Sequence, residues 1–450
     1  MKILHYFLGF PPYRTGGLTK YAFDLMTAQV EDGHSVVAFW PGRIGIISKK
    51  VSLRPQKPVC GIKNYELINP LPIPLDEGIS EVEAYIKSCD IKAYKTFLGS
   101  IQPQVIHIHT LMGLHKEFFD VAEQLRIRTV FTTHDYFGIC PKVTLFRQGE
   151  TCDNDNDCKM CVRCNQNALS LSKIIVMQTP FYRILKNTLL VRILRKHHRN
   201  QFFNELDTTF AKKKGADIEI LAQQYKQLRM YYINMLKKIC LIHFNSTVAK
   251  DVYLRYFVPK NSKVLTISHR DIKDNRYSNV WKPEKELRLT FLASPKPYKG
   301  FAILKEALDD LWNCGIRNFY LKIYGNVYDK SPYMIINSNG FKQEDLKVIF
   351  ANTDVLVAPS VWYETFGFTV LEALSYGVPV IVSDRVGAKD ILGKAGIVIK
   401  AGSVEELKNA IKDLTLDRQK NMRQAIKDSI EIMDWKKFVK CNYELYQYQF

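Results

Sequence analysis

Long apolar runs are absent. No stretch of the 450 residues is apolar over the roughly 18–20 positions that a membrane-spanning helix needs. The opening MKILHYFLGFPPYRTGG has one lysine, a short apolar run and no small-residue cleavage site. It reads as a first strand and its loop, not a leader, so a cytoplasmic protein is expected.

Acidic residues are also scarce, 45 against 64 Lys and Arg, giving a formal charge of +19. Such a surplus implies an anionic partner. Its distribution is uneven. Between Arg183 and Lys238 thirteen cations face four acids, so this eighth of the chain carries a surplus of nine. No RNA or DNA motif interleaves these cations with aromatics, and no nucleic-acid partner is expected. With 46% hydrophobic and 24% charged residues the chain is globular, and its length calls for two or three domains.

What is present is alternation. KILHYF (2–7), SVVAFW (35–40), QVIHIH (104–109) and RTVFTT (128–133) read as buried strands, with helices over 19–32, 82–100 and 115–126. A cysteine-rich loop (140–172) and a basic helical insertion (173–238) follow, and CLIHFNS (240–246) and VLTIS (264–268) resume the strand pattern. A second series runs through LRLTFLA (287–293), FYLKIYG (319–325), VLVAP (355–359), VPVIVSD (378–384) and AGIVI (395–399). The pattern predicts an α/β protein of two doubly wound Rossmann-like domains, 1–270 and 285–433, with a helical tail over 434–450. Ligands on such sheets sit beyond the carboxyl ends of the strands, and two such edges can face one cleft.

The stretch SVWYETFGFTVLEALSYGVPVIVSD (360–384) places Glu364 in an aromatic and glycine-rich turn and Glu372 inside an apolar helix. Glu364 directly precedes a helix whose free N–H groups and positive dipole end attract a phosphate or carboxylate. Gly367 lets a ligand approach the backbone. Glu372 lies eight positions on, about a dozen ångströms away at roughly 1.5 Å per residue. That separation suits a sugar at one end and a ribose at the other of a diphosphate.

The pattern resembles the signature of the retaining, GT-B-fold glycosyltransferases of the group 1 family (glycosyltransferase family 4), including those that build surface polysaccharides. It stands here as Pro359, Ser360, Glu364, Phe366, Gly367, Leu371, Glu372, Ala373, Gly377, Pro379 and Val380. The resemblance implies two Rossmann-like domains facing a cleft, the first for the acceptor and the second for a nucleotide sugar, with a C-terminal helix crossing back. By that likeness Glu364 contacts the transferred sugar and Glu372 the ribose, while the amides around Phe366, Gly367 and Phe368, with Thr369, hold sugar and diphosphate. Gly16 and Gly17, in PPYRTGGLTKYAFDL (11–25), resemble the family's N-terminal glycine loop. His134 and Asp135 (FTTHDYFGICP, 131–141) match its strand-end histidine segment. His107 and His109 are two apart on one strand; His109, nearer the carboxyl end, and Asp135 are expected on the acceptor side. Lys299 in FLASPKPYKGFAIL (291–304) matches the family's phosphate-gripping lysine. Ser294 stands where many members have arginine, and Lys296 is the candidate to replace that charge. The catalytic set is then His134, Glu364 and Lys299. Lys299 and helix-terminal amides stabilise the leaving group, a device needing no divalent metal and no catalytic cofactor.

Cys152, Cys158, Cys161 and Cys164, with Cys140 upstream, have spacings that admit structural zinc, free thiols or an iron–sulfur cluster; structural zinc is the reading taken. The basic stretch 181–203 steps Leu185, Leu189 and Ile193 four residues apart among cations. It fits an amphipathic helix on an anionic bilayer, and hence a peripheral enzyme at the inner face of the cytoplasmic membrane with a lipid-linked glycan acceptor. Two other readings stand beside a transferase: a catalytically silent subunit of the same fold, prompted by Ser294, and a basic zinc-containing nucleic-acid-binding protein.

Overall fold

Short runs rich in Val, Ile, Leu and aromatics become strands here because parallel strands covered by helices are buried on both faces. The computed structural model describes residues 1–447 apart from 46–47, 75–77, 148, 154–156, 187, 190, 192, 194–214 and 280. In the first half β1 (Lys2–Tyr6), β2 (Ser35–Pro41), β3 (Ser52–Val59), β4 (Ile62–Ile68), β5 (Val105–Ile108) and β6 (Arg128–Thr132) are followed by a small hairpin, β7 (Phe146–Arg147) and β8 (Glu150–Thr151). Then come β9 (Leu241–Phe244) and β10 (Ser262–Val264). Eight of these form one sheet in the order β10-β9-β6-β5-β1-β2-β4-β3. All its pairings are parallel except β3 with β4.

The β3–β4 pair does not announce itself as apolar runs. SLRPQKPV is an edge strand whose middle residues are exposed, and IKNYELI buries alternate positions. The helix expected over 82–100 resolves into a 3-10 turn, Val82–Tyr85, and a helix, Ile91–Ile101. Asp90 sets the start of that helix by accepting the Lys92 N–H at 2.9 Å, as an N-cap carboxylate does. Of the basic stretch 181–203, the helix Pro180–Leu185 is described; residues 187, 190, 192 and 194–203 lie outside the described residues.

The second half contributes β11 (Leu287–Phe291), β12 (Phe319–Tyr324), β13 (Met334–Asn337), β14 (Val355–Ala358), β15 (Val380–Ser383) and β16 (Gly396–Ile399). They form an all-parallel sheet ordered β13-β12-β11-β14-β15-β16. Beneath it Arg288 and Asp354 form a buried ion pair at 2.8 Å, each side chain 3% exposed. The last helix, Trp435–Gln447, returns to the first sheet, where Leu445 and Tyr446 pack on Ile3, Val105, Val130 and Leu241. Full burial of a leucine such as Leu445 contributes roughly 1.5–3 kcal/mol to that docking.

In a doubly wound sheet the crevice forms where the strand order reverses. In the first sheet that point is between β1 and β5, and in the second between β11 and β14.

Candidate active site

The reversal in the second sheet holds a cavity of about 260 Å³. The end of β11 (Phe291 to Ser294), the β14 strand, Lys299, Ser360, Glu364, Phe368 and Thr369 line it. Residues far apart in sequence meet because both loops leave the same sheet edge.

Lys299 closes a short 3-10 turn, Pro297–Lys299, and Gly300 then opens the helix Phe301–Asn313. Gly300 has φ +75, and a Cβ there would lie 1.9 Å from the Pro359 carbonyl oxygen, so only glycine lets the two loops touch. That contact brings Lys299 Nζ within 2.6 Å of Glu364 Oε1. Ser360 Oγ donates to Glu364 Oε2 at 2.8 Å. Burial alone would raise the Glu364 pKa, but the Lys299 ammonium and the Ser360 hydroxyl outweigh it and hold the carboxyl below its ordinary value. The carboxylate is therefore charged and oriented at neutral pH.

Gly367 (φ +103) reverses the chain so that the helix Phe368–Ser375 starts at the cavity wall. Its first-turn N–H groups, at Phe368 and Thr369, belong to residues lining the cavity. Phe366 is buried beneath them. Across the gap, Gly17 opens the first helix of the other domain, and a Cβ on it would lie 3.8 Å from the Phe368 ring. Gly16 is that helix's N-cap. The two sheet edges thus face each other at Gly17 and Phe368.

His134 and Asp135 lie just beyond β6. Thr365, next to Glu364, donates its Oγ1 hydroxyl to the His134 carbonyl at 3.2 Å, and Ser246 Oγ donates to the Thr365 carbonyl at 2.6 Å. Burial, with His243 nearby, lowers the His134 pKa to about 3, so its imidazole is neutral. Burial raises Asp135 to about 6, against the Phe137 N–H that it accepts.

Other expected residues sit elsewhere. Glu372 does not line the cavity. It is buried in its helix, with Oε1 3.2 Å from His269 Nε2, and His269 stacks edge-on against Phe368. Lys296 does not line the cavity either; its ammonium lies 5.3 Å from the Tyr298 ring centre. His109 is fully buried, hydrogen-bonded to His5 and His134, and reaches the cleft only through His134.

The cysteines read as a structural zinc site lie apart from this cavity. Cys140, Cys152, Cys161 and Cys164 line a separate cavity of about 160 Å³, with Arg229 among them. Arg229 Nη2 donates to Cys161 Sγ at 3.4 Å. Contact with Cys158 and burial push the Cys161 thiol well up. Among the described residues, the group of His, Cys or acidic side chains with ligand atoms within 4.8 Å of one another is His5, His107 and His109, which contains no cysteine. A tetrahedral site needs four converging thiolates or imidazoles. Arg229 shares the cavity with four of the cysteines, and among the described residues no cysteine belongs to a converging ligand group.

Two features escaped sequence reasoning. Tyr363, beside Glu364, donates to Asp153 Oδ1 of the cysteine-rich loop at 2.6 Å and is flanked by Arg255 and Arg385 at 4.8 and 5.1 Å from its ring centre. This clasp joins the two domains next to the cavity. His5 and His243 are buried in the first sheet beside His107. Their signal was a single polar residue inside each apolar strand.

Residues 273–431 match the family model described as glycosyl transferases group 1. Over its whole length the chain is similar to the structure of Anabaena Alr3699/HepE in complex with UDP: 13% identity, complete coverage of both chains and a TM-score of 0.53. The fold is GT-B. Among sequence relatives, the chain is 34% identical over 100 residues to the sulfoquinovosyl transferase SQD2 of Arabidopsis thaliana, 21% of this chain and 19% of that one. It is 25% identical over 155 residues to a phosphatidyl-myo-inositol mannosyltransferase of Propionibacterium freudenreichii, 32% of this chain and 40% of that one. The GT-B chain therefore spans less than half the length of either sequence relative. Among its described residues no helix is long and apolar enough to cross a membrane.

Proposed function

We propose that the protein is a retaining glycosyltransferase that moves a sugar from a nucleotide-diphosphate-sugar donor to a lipid-linked glycan. It would act at the inner face of the cytoplasmic membrane, in building a cell-surface polysaccharide. The observation that carries the reading is the Lys299–Glu364 pair, held at 2.6 Å in a cavity at the strand-order reversal of a GT-B fold. The family match over 273–431 and the UDP named for a structural relative support a nucleotide sugar as co-substrate.

In this reading the donor diphosphate lies at the N-terminus of the helix Phe368–Ser375. There main-chain N–H groups and the Lys299 ammonium meet its charge. Glu364, released from Lys299, accepts hydroxyls of the transferred sugar, and Glu372 holds the ribose. The bond between the anomeric carbon and the diphosphate oxygen breaks, and its electron pair passes to the diphosphate. An acceptor hydroxyl oxygen attacks the same face, and its proton goes to the departing phosphate. No carboxylate is assigned as a covalent nucleophile. The charge on the leaving group is met by protein groups, so turnover is expected to survive a chelator.

The test is turnover with lipid-linked acceptors and a panel of nucleotide sugars, with NMR reading the anomeric configuration of the product. Transfer with retention is the expected result; inversion would contradict the mechanism. A second reading, a catalytically silent GT-B subunit, is favoured by one feature. Ser294 lines the cavity where the resembling family often carries arginine. Turnover by the purified chain alone excludes it.

A further inference from the structure

A continuous hydrogen-bonded path runs through the interior of the first domain, and its polarity follows from one fixed end. His243 Nε2 lies 2.7 Å from the Leu265 carbonyl oxygen, which can only accept. His243 Nε2 therefore carries the proton. Burial keeps all five imidazoles on the path neutral: His5 and His243 fall to about 4, His134 to about 3, and His107 and His109 well below their ordinary value. A neutral imidazole has one N–H, so His243 Nδ1 must accept, and the donor 2.9 Å away is the Thr132 hydroxyl. That hydroxyl has one proton, so Thr132 Oγ1 accepts from His107 Nε2 at 2.7 Å. His107 Nδ1 then accepts the Tyr446 O–H at 2.7 Å.

The same logic turns the corner at Tyr446. Its oxygen accepts from Gln29 Nε2 at 3.0 Å, which fixes the orientation of the Gln29 amide. Gln29 Oε1 accepts from His5 Nε2 at 2.7 Å, leaving His5 Nδ1 to accept from His109 Nε2 at 3.0 Å. His109 Nδ1 accepts in turn from His134 Nε2 at 3.4 Å. The opposite polarity would set two acceptors against each other at Leu265. All the ring nitrogens of His5, His107 and His109 are used, so this trio is a hydrogen-bond relay and not a metal site.

We infer that Gln29 and Tyr446 are positioning residues that lock His134 as its Nε2–H tautomer, leaving Nδ1 as a bare acceptor for a hydroxyl of the bound sugar or acceptor. The inference rests on the proposed sugar-transfer reading for the identity of that ligand. His134 Nδ1 has no partner among the described residues, and the residue is part-exposed beside the loop carrying Glu364. The relay ties this acceptor to three separate elements. They are the first helix (Gln29), the crossing helix (Tyr446) and the segment leaving β10 toward the second domain (Leu265). Docking of the C-terminal helix thus sets the hydrogen-bonding character of His134, 312 positions before Tyr446 in the sequence.

The experiment is long-range proton–nitrogen NMR of the full chain with nitrogen-labelled histidine at neutral pH, assigned with His134→Asn. The expected spectrum has His134 protonated at Nε2 and bare at Nδ1 without any ligand. In Tyr446→Phe and, separately, Gln29→Met, the relay is cut and both His134 tautomers are populated. The value of kcat falls roughly five- to tenfold with donor KM little changed, the effect of one misdirected hydrogen bond in the transition state. A purely structural role would leave the tautomer unmoved. A wild-type His134 carrying its proton on Nδ1, or two folded variants that keep a single Nε2–H form, overturns the inference. The wild-type spectrum decides even where a variant does not fold. The expected tautomer in a protein that transfers no sugar supports the relay while refuting the transferase reading, so the two failures are distinguishable.

Discussion

Lys299 Nζ and Glu364 Oε1 lie 2.6 Å apart, with the two side chains 22% and 18% exposed. Each holds the other in the cleft, and each has a different partner in the proposed complex. Replacing Lys299 by methionine removes the charge that offsets burial of Glu364. Glu364 is depressed in the native protein, so its contribution is present above the unfolded value near 4.3 and lost as pH falls through its folded value. In Lys299→Met burial prevails, and the acidic limb of the kcat/KM profile moves toward neutrality. The plateau falls by roughly 10- to 100-fold, the scale of a lost charge-assisted hydrogen bond. Profiles of both proteins between about pH 4 and 8 check this.

Gly300→Ala is expected to destabilise the second domain. The added carbon would lie 1.9 Å from the Pro359 oxygen on a backbone already at φ +75. Pro359 begins the loop that carries Glu364, so the strain reaches the cavity. A loss of roughly 1–3 kcal/mol in denaturant unfolding, with weakened donor binding, is expected.

Asp135 gives a pH signature of opposite sign. Its folded value, raised to about 6 by burial, lies above the unfolded one near 3.9. The stability it contributes is present below the unfolded value and is lost as pH rises through about 6. Asp135→Asn keeps the acceptor for the Phe137 N–H without the buried charge. Its gain in Tm over the wild type is expected to be larger at about pH 8 than at about pH 5. Thermal unfolding at the two values measures it.

The proposed membrane association draws on exposed apolar side chains within the basic stretch. Phe181, Ile184 and Leu189 are each 75% exposed. Sedimentation with vesicles rich in anionic lipid is expected to carry the protein down, and Phe181→Ser with Ile184→Ser to weaken binding by about tenfold per residue. Raising salt from about 0.1 to 1 M should release it, because the screening length falls from about 10 to 3 Å. Binding to neutral vesicles alone would contradict an electrostatic contribution.

Much of this arrangement is legible before any coordinates. The strands KILHY, VIHI, LRLTF, VLVA and VIVS are apolar runs bounded by helices, and a parallel sheet buries them on both faces. Edge elements were not legible. SLRPQKPV has too few apolar residues to read as a strand, and MIIN is a short edge strand with no fully buried position. Glu364 and Gly367 were legible by spacing, and Lys299 and Thr369 only through the family resemblance; Glu364, Lys299 and Thr369 line the cavity. The histidine relay was not. His5 faces His107, and Thr132 faces His243, through the register of parallel strands brought together from distant segments. The zinc expectation depended on spacing alone, and spacing does not show that Arg229, from the helix Gly215–Lys238, donates to Cys161.

The central claim is that a nucleotide sugar is gripped where the strand order of the second sheet reverses. Calorimetric titration of a nucleotide-sugar panel into the full chain tests it most directly. One donor is expected to bind at one site per chain, with binding lost in Lys299→Met and weakened in Glu364→Ala. No binding by any nucleotide sugar, or binding that both substitutions leave untouched, would contradict the account.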